Sequence, residues 1–240
     1  MPQSRQQVLP LLICLLLVAC GGDDPTGPQP GGVPTEGLVA YFPFSSGATD
    51  ASGNGNTGTL VGGATASGAL LLGDNAADAF TAPYSAMDGL ADFSISAWLR
   101  IDASHQGHFV LSGANALEDN VVGFSYDEVR GAWRFGEAND NFDFPPESSI
   151  EDGQWHHVTV TRTATLAQLF IDGAAVGGAI AVIGDTLELD AGGLVFGQDQ
   201  DTLGGGFESD QAWAGAMDNL RIYDRALSPA EVSSLADEAR

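Results

Sequence analysis

Short strand-like runs separated by turns dominate the sequence from Gly37 to the end of the chain. Eight runs stand out, at residues 38–42, 94–101, 121–126, 133–135, 156–161, 166–171, 194–196 and 217–223. In the second run Ile95, Ala97 and Leu99 alternate with other residues and should share one face of a strand. The 32 glycines suit the tight turns that many short strands require. The pattern predicts an all-β sandwich or jelly roll.

Two local signals predict a turn and a helix. Asp172-Gly173 directly follows a strand run, which indicates a hairpin. Ser228, Pro229 and Glu231 combine a capping serine, a proline at the first helical position and a glutamate three residues after the serine. They predict one short helix at the C-terminus, with Val232 and Leu235 packed on the sandwich.

The first 36 residues do not fit this pattern. Arg5 precedes an apolar run at 8–19 that is too short to span a membrane and is typical of a signal peptide. The run ends Leu17-Val18-Ala19-Cys20, which resembles the lipobox of bacterial lipoproteins and implies cleavage before Cys20 and its lipidation. The alternative is an ordinary secretory signal with a chance cysteine. Residues 21–36 are rich in Gly and Pro and predict a flexible tether.

We therefore expect a signal peptide at 1–19, a lipidated Cys20 with its tether at 20–36, and one domain at 37–240. The protein would be exported and lipid-anchored in the cell envelope, with Gly21 favouring the outer membrane, and the lipid would be its sole membrane contact. Cys14 lies in the signal, so the mature chain would lack an intramolecular disulfide. Stability would then come from the core or from bound metal.

The net charge is -24, and all eight basic residues are arginine. So little positive charge argues against nucleic acid as a partner, because phosphates could not be neutralised. An excess of carboxylates suits a solvated surface or calcium sites, and composition does not choose between them.

Several motifs resemble the laminin-G-like or concanavalin A-like jelly roll. The resemblance runs from about Gly37 to the end of the chain and is carried by Tyr41-Phe42-Pro43-Phe44, by 50–56, by Trp155-His156-His157-Val158-Thr159-Val160-Thr161, by Leu169-Phe170-Ile171-Asp172-Gly173 and by 220–228. It implies a two-sheet jelly-roll sandwich with one short C-terminal helix. Such motifs specify the fold better than the function.

A sharper resemblance lies at residues 197–211, which are similar to the calcium loop of the pentraxins. In that family two adjacent Ca²⁺ ions are held by this loop and by an Asp-Asn pair from an earlier segment. The resemblance implies that Asp199 and Asp201 bridge the ions, that Gln200 offers its main-chain carbonyl, that Glu208 and Gln211 hold the outer ion, and that Asp119 and Asn120 hold the inner one. Asp199 stands where the family usually has Glu, and the shorter side chain is expected to weaken the bridging.

Oxygen-rich ligands of this kind are what Ca²⁺ prefers, and the four carboxylates would balance two ions. The alternative is a Gly-rich acidic surface loop. An EF-hand is rejected because Leu203 occupies a ligand position. A further calcium site could pair Asp50 with Asp218, as in many laminin-G-like jelly rolls, although the residues around Asp50 are also those that a tight turn needs.

The remaining candidates concern catalysis and sugar stacking. Glu188-Leu189-Asp190 begins the paired-carboxylate pattern of glycan hydrolases, but the second Glu is missing, and one carboxylate cannot perform both roles. Four tryptophans could stack on sugars or lie in the core. Trp98 and Trp155 are expected in the core, while both roles stay open for Trp133 and Trp213.

We expect a non-enzymatic, calcium-dependent module for ligand recognition or adhesion. By the resemblance, its ligand would be a carbohydrate or a phosphate-bearing molecule. A glycan hydrolase of the same fold and a structural envelope module with calcium only as a staple remain the alternatives. The pentraxin disulfide would fall near Ser96 and Thr159 and is absent, so the oligomeric state stays open.

Overall fold

The computed structural model describes residues 32–73, 75–146 and 149–240. The predicted signal peptide, Cys20 and most of the predicted tether lie outside the described residues. Within the described ranges, no helix is both long enough and apolar enough to cross a membrane.

Strands account for nearly all of the regular structure. In chain order they are β1 Leu38–Phe42, β2 Thr59–Val61, β3 Thr65–Ala66, β4 Leu70–Leu72, β5 Ala79–Thr81, β6 Phe93–Ile101, β7 Gly107–Gly113, β8 Val122–Asp127, β9 Ala132–Glu137, β10 Asp140–Asp143, β11 His156–Thr163, β12 Leu166–Ile171, β13 Ala174–Ala175, β14 Ile180–Ala181, β15 Leu194–Phe196 and β16 Gly215–Tyr223. Short 3-10 helices occupy Tyr84–Ala86 and Ser209–Gln211, and α1 is Pro229–Ala236.

The strands form two antiparallel sheets packed face to face. The first sheet has the order β13-β12-β11-β6-β16-β4-β3, with β1 also paired to β16 and β14 to β12. The second has the order β10-β9-β8-β7-β15-β5-β2. The predicted two-sheet jelly roll with one C-terminal helix is confirmed.

Alternation along the strands builds the core between the sheets. Ile95, Ala97 and Leu99 of β6 point inward, as predicted, and belong to the same apolar cluster as Phe124 of β8 and Phe135 of β9. Burying one large apolar side chain contributes about 1.5–3 kcal/mol, so this cluster supplies the main driving force for folding.

The C-terminal helix forms where the capping box predicted it. Ser228 Oγ accepts the N–H of Glu231, and the Glu231 carboxylate accepts the N–H of Ser228. The hydrogen bond from Arg225, aided by Ser228, lowers the pKa of Glu231 to about 2. Val232 and Leu235 pack on the outer face of the first sheet, as expected.

The chain joins the domain slightly before the predicted boundary at Gly37. Val33 packs against the apolar cluster beneath α1, and the Tyr223 hydroxyl donates a hydrogen bond to the Pro34 carbonyl at 3.0 Å. The last residues of the predicted tether therefore contact the first sheet.

The hairpin after β12 also forms as predicted. Asp172 and Gly173 both have positive φ, at 49° and 79°, which is the conformation of a two-residue type I′ turn. Asp172 further accepts the N–H of His157 at 2.9 Å, which fastens the turn to β11.

One buried ion pair joins the two sheets. Arg162 of β11 and Glu137 of β9 are both buried, and their side chains form a salt bridge. The guanidinium also donates to the carbonyls of Ala91 and Asp185, and Glu137 Oε2 accepts the N–H of Gly184 at 3.2 Å. The pair is thus embedded in further hydrogen bonds, as a buried charge requires.

The prediction that Trp98 and Trp155 lie in the core was wrong. Trp133 and Trp213 are fully buried, so they cannot stack on a sugar, whereas Trp98 and Trp155 are only partly buried. Trp98 lies on the outer face of β6, because Ile95, Ala97 and Leu99 take the inner face. Trp155 lies between two guanidinium groups, those of Arg100 at 5.0 Å and Arg240 at 4.1 Å from the ring centre.

The positions near the absent pentraxin disulfide prove to be direct neighbours. Ser96 and Thr159 are register partners across β6 and β11, and both are buried. Ser96 Oγ forms a hydrogen bond of 2.9 Å with Nε2 of His157. Burial, followed by the charge of Arg221, lowers the pKa of His157 to about 4. A polar layer here replaces the covalent link.

Candidate metal centre and the adjoining groove

The loop after β15 is fixed in place by the side chain of Gln200. Its Nε2 donates to the carbonyls of Ser112 at 2.9 Å and Gly193 at 3.2 Å, while its Oε1 accepts the N–H of Gly204 at 2.7 Å. Because β15 pairs with β7, these bonds hold the loop beside the segment that connects β7 to β8. Because its side chain makes these hydrogen bonds, Gln200 could bind a metal ion only through its main-chain oxygen.

Asp199 of this loop lies within electrostatic reach of two other carboxylates, Asp201 of the same loop and Asp119 of the segment after β7. Asp199 is only 7% exposed, and its Oδ1 accepts the N–H of Gln200 at 2.9 Å. Burial, together with the negative charges of Asp201 and Asp119, raises the pKa of Asp199 to about 6. A buried carboxylate surrounded by like charges is unfavourable unless a proton or a cation compensates it.

Two amide side chains complete this group. Asn120 Nδ2 donates to Asp119 Oδ1 at 3.1 Å. Gln211 Oε1 is buried and has no hydrogen-bond partner among the described residues. A buried acceptor of this kind costs free energy unless something binds it, and amide oxygens are ordinary calcium ligands.

Glu208 is connected to Gln211 through its main chain, whose carbonyl accepts the N–H of Gln211 at 3.3 Å. The side chain of Glu208 is exposed, and its place in the outer calcium site stays a prediction. Across the described ranges, no three His, Cys, Asp or Glu side chains lie close enough to hold a metal ion. The donor chemistry of Asp119, Asp199 and Asp201 with the amides nevertheless fits calcium, which also takes amide, main-chain and water oxygens.

Asp50 and Asp218, which were predicted as a further metal pair, have different hydrogen-bond partners. The Asp50 carboxylate accepts the N–H groups of Tyr41, Ser52 and Asn56 at 2.8–3.0 Å, and also the Ser52 hydroxyl. Although burial raises the pKa of Asp50, these hydrogen bonds lower it below its usual value. This is the turn chemistry that the sequence also allowed.

Asp218 is engaged elsewhere. Its Oδ1 accepts the N–H of Asn219 at 2.9 Å, and its Oδ2 pairs with Arg240 at 3.3 Å. Burial raises the pKa of Asp218. The contacts of Asp50 and Asp218 therefore form two distinct sets in the described part of the chain.

A groove of about 340 Å³ begins at the carboxylate group and runs across the outer face of the second sheet. Asn120, Asp199 and Gln211 line it at the metal-centre end, and Gly123, Ser125 and Gly136 of the central strands also line it. Sequence reasoning missed these strand residues. The signal was present, since Val122, Phe124 and Tyr126 point inward and leave Gly123 and Ser125 outward.

The candidate catalytic segment does not form a strand. Glu188 is exposed, and the Asp190 carboxylate accepts the N–H of Ala116 at 2.8 Å. The described strands end before this segment and resume at β15. Asp190 thus has a structural role in holding the loop after β7.

Fold and site together describe a two-sheet jelly roll with an acidic, oxygen-rich centre at one end of a groove. The family described as the concanavalin A-like lectin/glucanases superfamily matches residues 72–233. The chain belongs to this superfamily, as a laminin-G-like domain related to the pentraxins.

Curated relatives are similar over part of the chain. Human Pentraxin-4 is 34% identical over 151 residues, which cover 61% of this chain and 31% of that protein. Rat Neuronal pentraxin-1 is 42% identical over 89 residues, which cover 36% of this chain and 21% of that protein. The chain thus spans less than a third of the length of each of these relatives.

Solved structures show the same fold. Domain 4 of AbnA, an extracellular arabinanase from Geobacillus stearothermophilus in complex with arabinotriose, has a TM-score of 0.67 and 20% identity, covering 83% of this chain and 98% of that one. The native heptameric SAP-like pentraxin from Limulus polyphemus has a TM-score of 0.53 and 26% identity, covering 62% and 70%.

Proposed function

We propose that this protein is a calcium-dependent binding module for carbohydrate or phosphate-bearing ligands, displayed on the cell envelope. The observation that carries the proposal is Asp199, which is buried at one end of the groove, where burial and the charges of Asp201 and Asp119 raise its pKa to about 6. Such a carboxylate is costly for the fold alone, and a bound cation would compensate it.

The sequence resemblance and the donor chemistry together indicate which residues would hold calcium. Asp119, Asp199 and Asp201 would supply carboxylate oxygens, Asn120 and Gln211 amide oxygens, and Gln200 its main-chain oxygen. When bound, calcium would supply open positions for hydroxyl or anionic oxygens of a ligand. The groove continues from this point, so a ligand held there could extend over the sheet.

Comparisons support this ligand class. The matching family is named for lectins and glucanases, and the arabinanase domain with the same fold was solved with a bound trisaccharide. We further propose that the module is not an enzyme, since the candidate carboxylate Asp190 holds a loop and lies outside the strands in the described part of the chain. Envelope display rests on the lipobox-like sequence ending at Cys20.

Calcium is expected to stabilise the folded protein. A ligand that binds only the folded state at about one hundred times its dissociation constant adds about 2.7 kcal/mol. For a domain of this size, this amounts to a rise of roughly 5–10 °C in Tm. Thermal unfolding in excess Ca²⁺ and in EDTA measures the effect.

The matched variants are Asp201→Asn in the site and Glu188→Gln on an exposed loop. The first should lose most of the calcium-induced rise, and the second should keep it. If the wild-type protein unfolds at the same temperature in Ca²⁺ and in EDTA, the proposed function is wrong.

Calcium affinity should fall in mild acid. Protons compete with calcium for Asp199, whose pKa is about 6. One pH unit below that value only about a tenth of the carboxylate is ionised, so the apparent Kd at pH 5 should be roughly tenfold weaker than at pH 7.5. Isothermal titration with CaCl₂ at both pH values measures this, and an unchanged Kd would contradict the raised pKa of Asp199 on which the proposal rests.

A further inference from the structure

Two glycines in the middle of the second sheet are not required by the fold. Gly123 of β8 and Gly136 of β9 are direct register partners, and neither has a positive φ. A Cβ at Gly123 would meet nothing nearer than 3.8 Å, and one at Gly136 nothing nearer than 3.4 Å. Both distances are ordinary van der Waals contacts, so alanine would fit at either position.

Gly113 of β7 and Gly215 of β16 differ in this respect. A Cβ at Gly113 would lie 2.5 Å from a Val122 methyl carbon, and one at Gly215 would lie 2.0 Å from the Arg100 carbonyl oxygen. Packing explains those glycines. Glycine inside a strand weakens it, and where neither backbone conformation nor packing requires it, glycine marks a place that a ligand approaches closely.

The two glycines lie side by side in the groove and form a flat surface, which we call the glycine floor. The ring of Phe109 borders it at Gly123, and the amide oxygen of Asn141 borders it at Gly136. The floor is therefore flanked by an apolar ring on one side and by a hydrogen-bonding amide on the other.

We propose that the glycine floor binds a neutral oligosaccharide that lies flat across β8 and β9 and reaches the metal centre with one end. This inference rests on the proposed function and narrows its ligand to a neutral glycan. A sugar ring has apolar C–H faces and a rim of hydroxyls. It suits a flat floor bordered by an aromatic ring and by amide and hydroxyl groups, here those of Asn141, Asn139 and Ser125.

Charge favours a neutral occupant. The groove is lined by the carboxylates of Asp127, Asp140, Asp199 and Asp210 and by one guanidinium, that of Arg134. Arg134 already pairs with Asp127 at 3.3 Å and with Asp143 at 3.1 Å. The groove away from the metal centre therefore has no uncommitted positive charge among its lining residues to attract a polyanion. The volume of about 340 Å³ lies within the range of small-molecule sites.

The test uses Gly123→Ala/Gly136→Ala, with Gly178→Ala as the control. Gly178 lies outside the groove, has no positive φ and has open space around its Cβ position. Hexasaccharides of β-1,3-glucan, β-1,4-glucan, β-1,4-mannan and α-1,5-arabinan are titrated in excess Ca²⁺, with O-phosphoethanolamine as the phosphate-bearing comparison. Calcium binding and Tm are measured for each variant.

At least one hexasaccharide should bind the wild-type protein, and the double variant should bind it at least tenfold more weakly. The variant should keep its calcium affinity and have an equal or higher Tm, while Gly178→Ala binds like the wild type. The inference is overturned if no hexasaccharide binds, if the double variant binds as well as the wild type, or if its Tm falls. If only O-phosphoethanolamine binds, and does so in a calcium-dependent way, the inference is overturned but the proposed function stands. If the wild-type protein does not bind calcium, the proposed function itself is contradicted.

Discussion

Replacing Asp199 with asparagine is expected to stabilise the calcium-free protein at pH 7.5 by about 3 kcal/mol, since its pKa is raised by about two units and one pKa unit corresponds to about 1.4 kcal/mol. The buried carboxylate has a folded-state pKa of about 6, above its ordinary value of 3.8. The folded state therefore binds more protons than the unfolded state between these values, and stability is lost as the pH rises through them. An amide of the same shape carries no charge and avoids this loss.

Calcium should offset this difference, and at about one thousand times its dissociation constant, where it adds about 4.1 kcal/mol, it should reverse the order of stability. With excess Ca²⁺ the wild type should gain stability and Asp199→Asn should gain much less, since an amide oxygen brings no negative charge to balance that of the metal. Urea unfolding at pH 4 and pH 7.5, with Ca²⁺ and with EDTA, measures all four states. At pH 4 the calcium-free wild type and variant should be nearly equal. Glu188→Gln makes the same chemical change at an exposed position and should alter none of these values. If the calcium-free Asp199→Asn protein is no more stable than the wild type at pH 7.5, the raised pKa of Asp199 is contradicted.

Glu137→Gln is expected to destabilise the protein by about 3–5 kcal/mol, which is the usual cost of removing one partner of a buried ion pair. Arg162 would stay buried between the sheets without a counter-charge, although its bonds to the carbonyls of Ala91 and Asp185 would remain. The loss should be seen as a lower midpoint in urea or guanidinium unfolding.

Asp143→Asn is the matched control, because Asp143 is an exposed carboxylate that pairs with Arg130 and Arg134. An exposed pair contributes about 0–1 kcal/mol, so this change should be small. Adding Arg162→Met to Glu137→Gln should recover part of the stability, since it removes the unpaired charge. Equal effects of Glu137→Gln and Asp143→Asn would show that the buried pair does not hold the sheets together.

The strands predicted from sequence are those with clear alternation or clear turn signals. Leu166–Ile171, for example, ends at the Asp172-Gly173 hairpin and was predicted with its observed bounds. Strand β7 was missed, although it lies in the middle of the second sheet. Its register shifts between Phe109 and Leu111, so Val110 and Leu111 both reach the core and the period of two is broken.

The site could be predicted only as a set of residues. Resemblance supplied Asp119 and Asp199, but their proximity depends on the pairing of β15 with β7 and on the side-chain bonds of Gln200, which no local pattern encodes. The glycine floor was missed for a related reason. From sequence alone, a glycine in a strand indicates only a weakened strand. Its neighbours in the structure are needed to show that a side chain would fit there.

The position at which the chain joins the domain has a consequence for orientation. Val33 and Pro34 contact the outer face of the first sheet, beneath α1. The groove opens on the outer face of the second sheet, on the far side of the sandwich. A linkage made through the residues before Val33 would therefore join the domain on the side opposite the groove. Coupling through this end to a bead or sensor surface would leave the groove accessible to large, immobile polymers as readily as to short soluble chains.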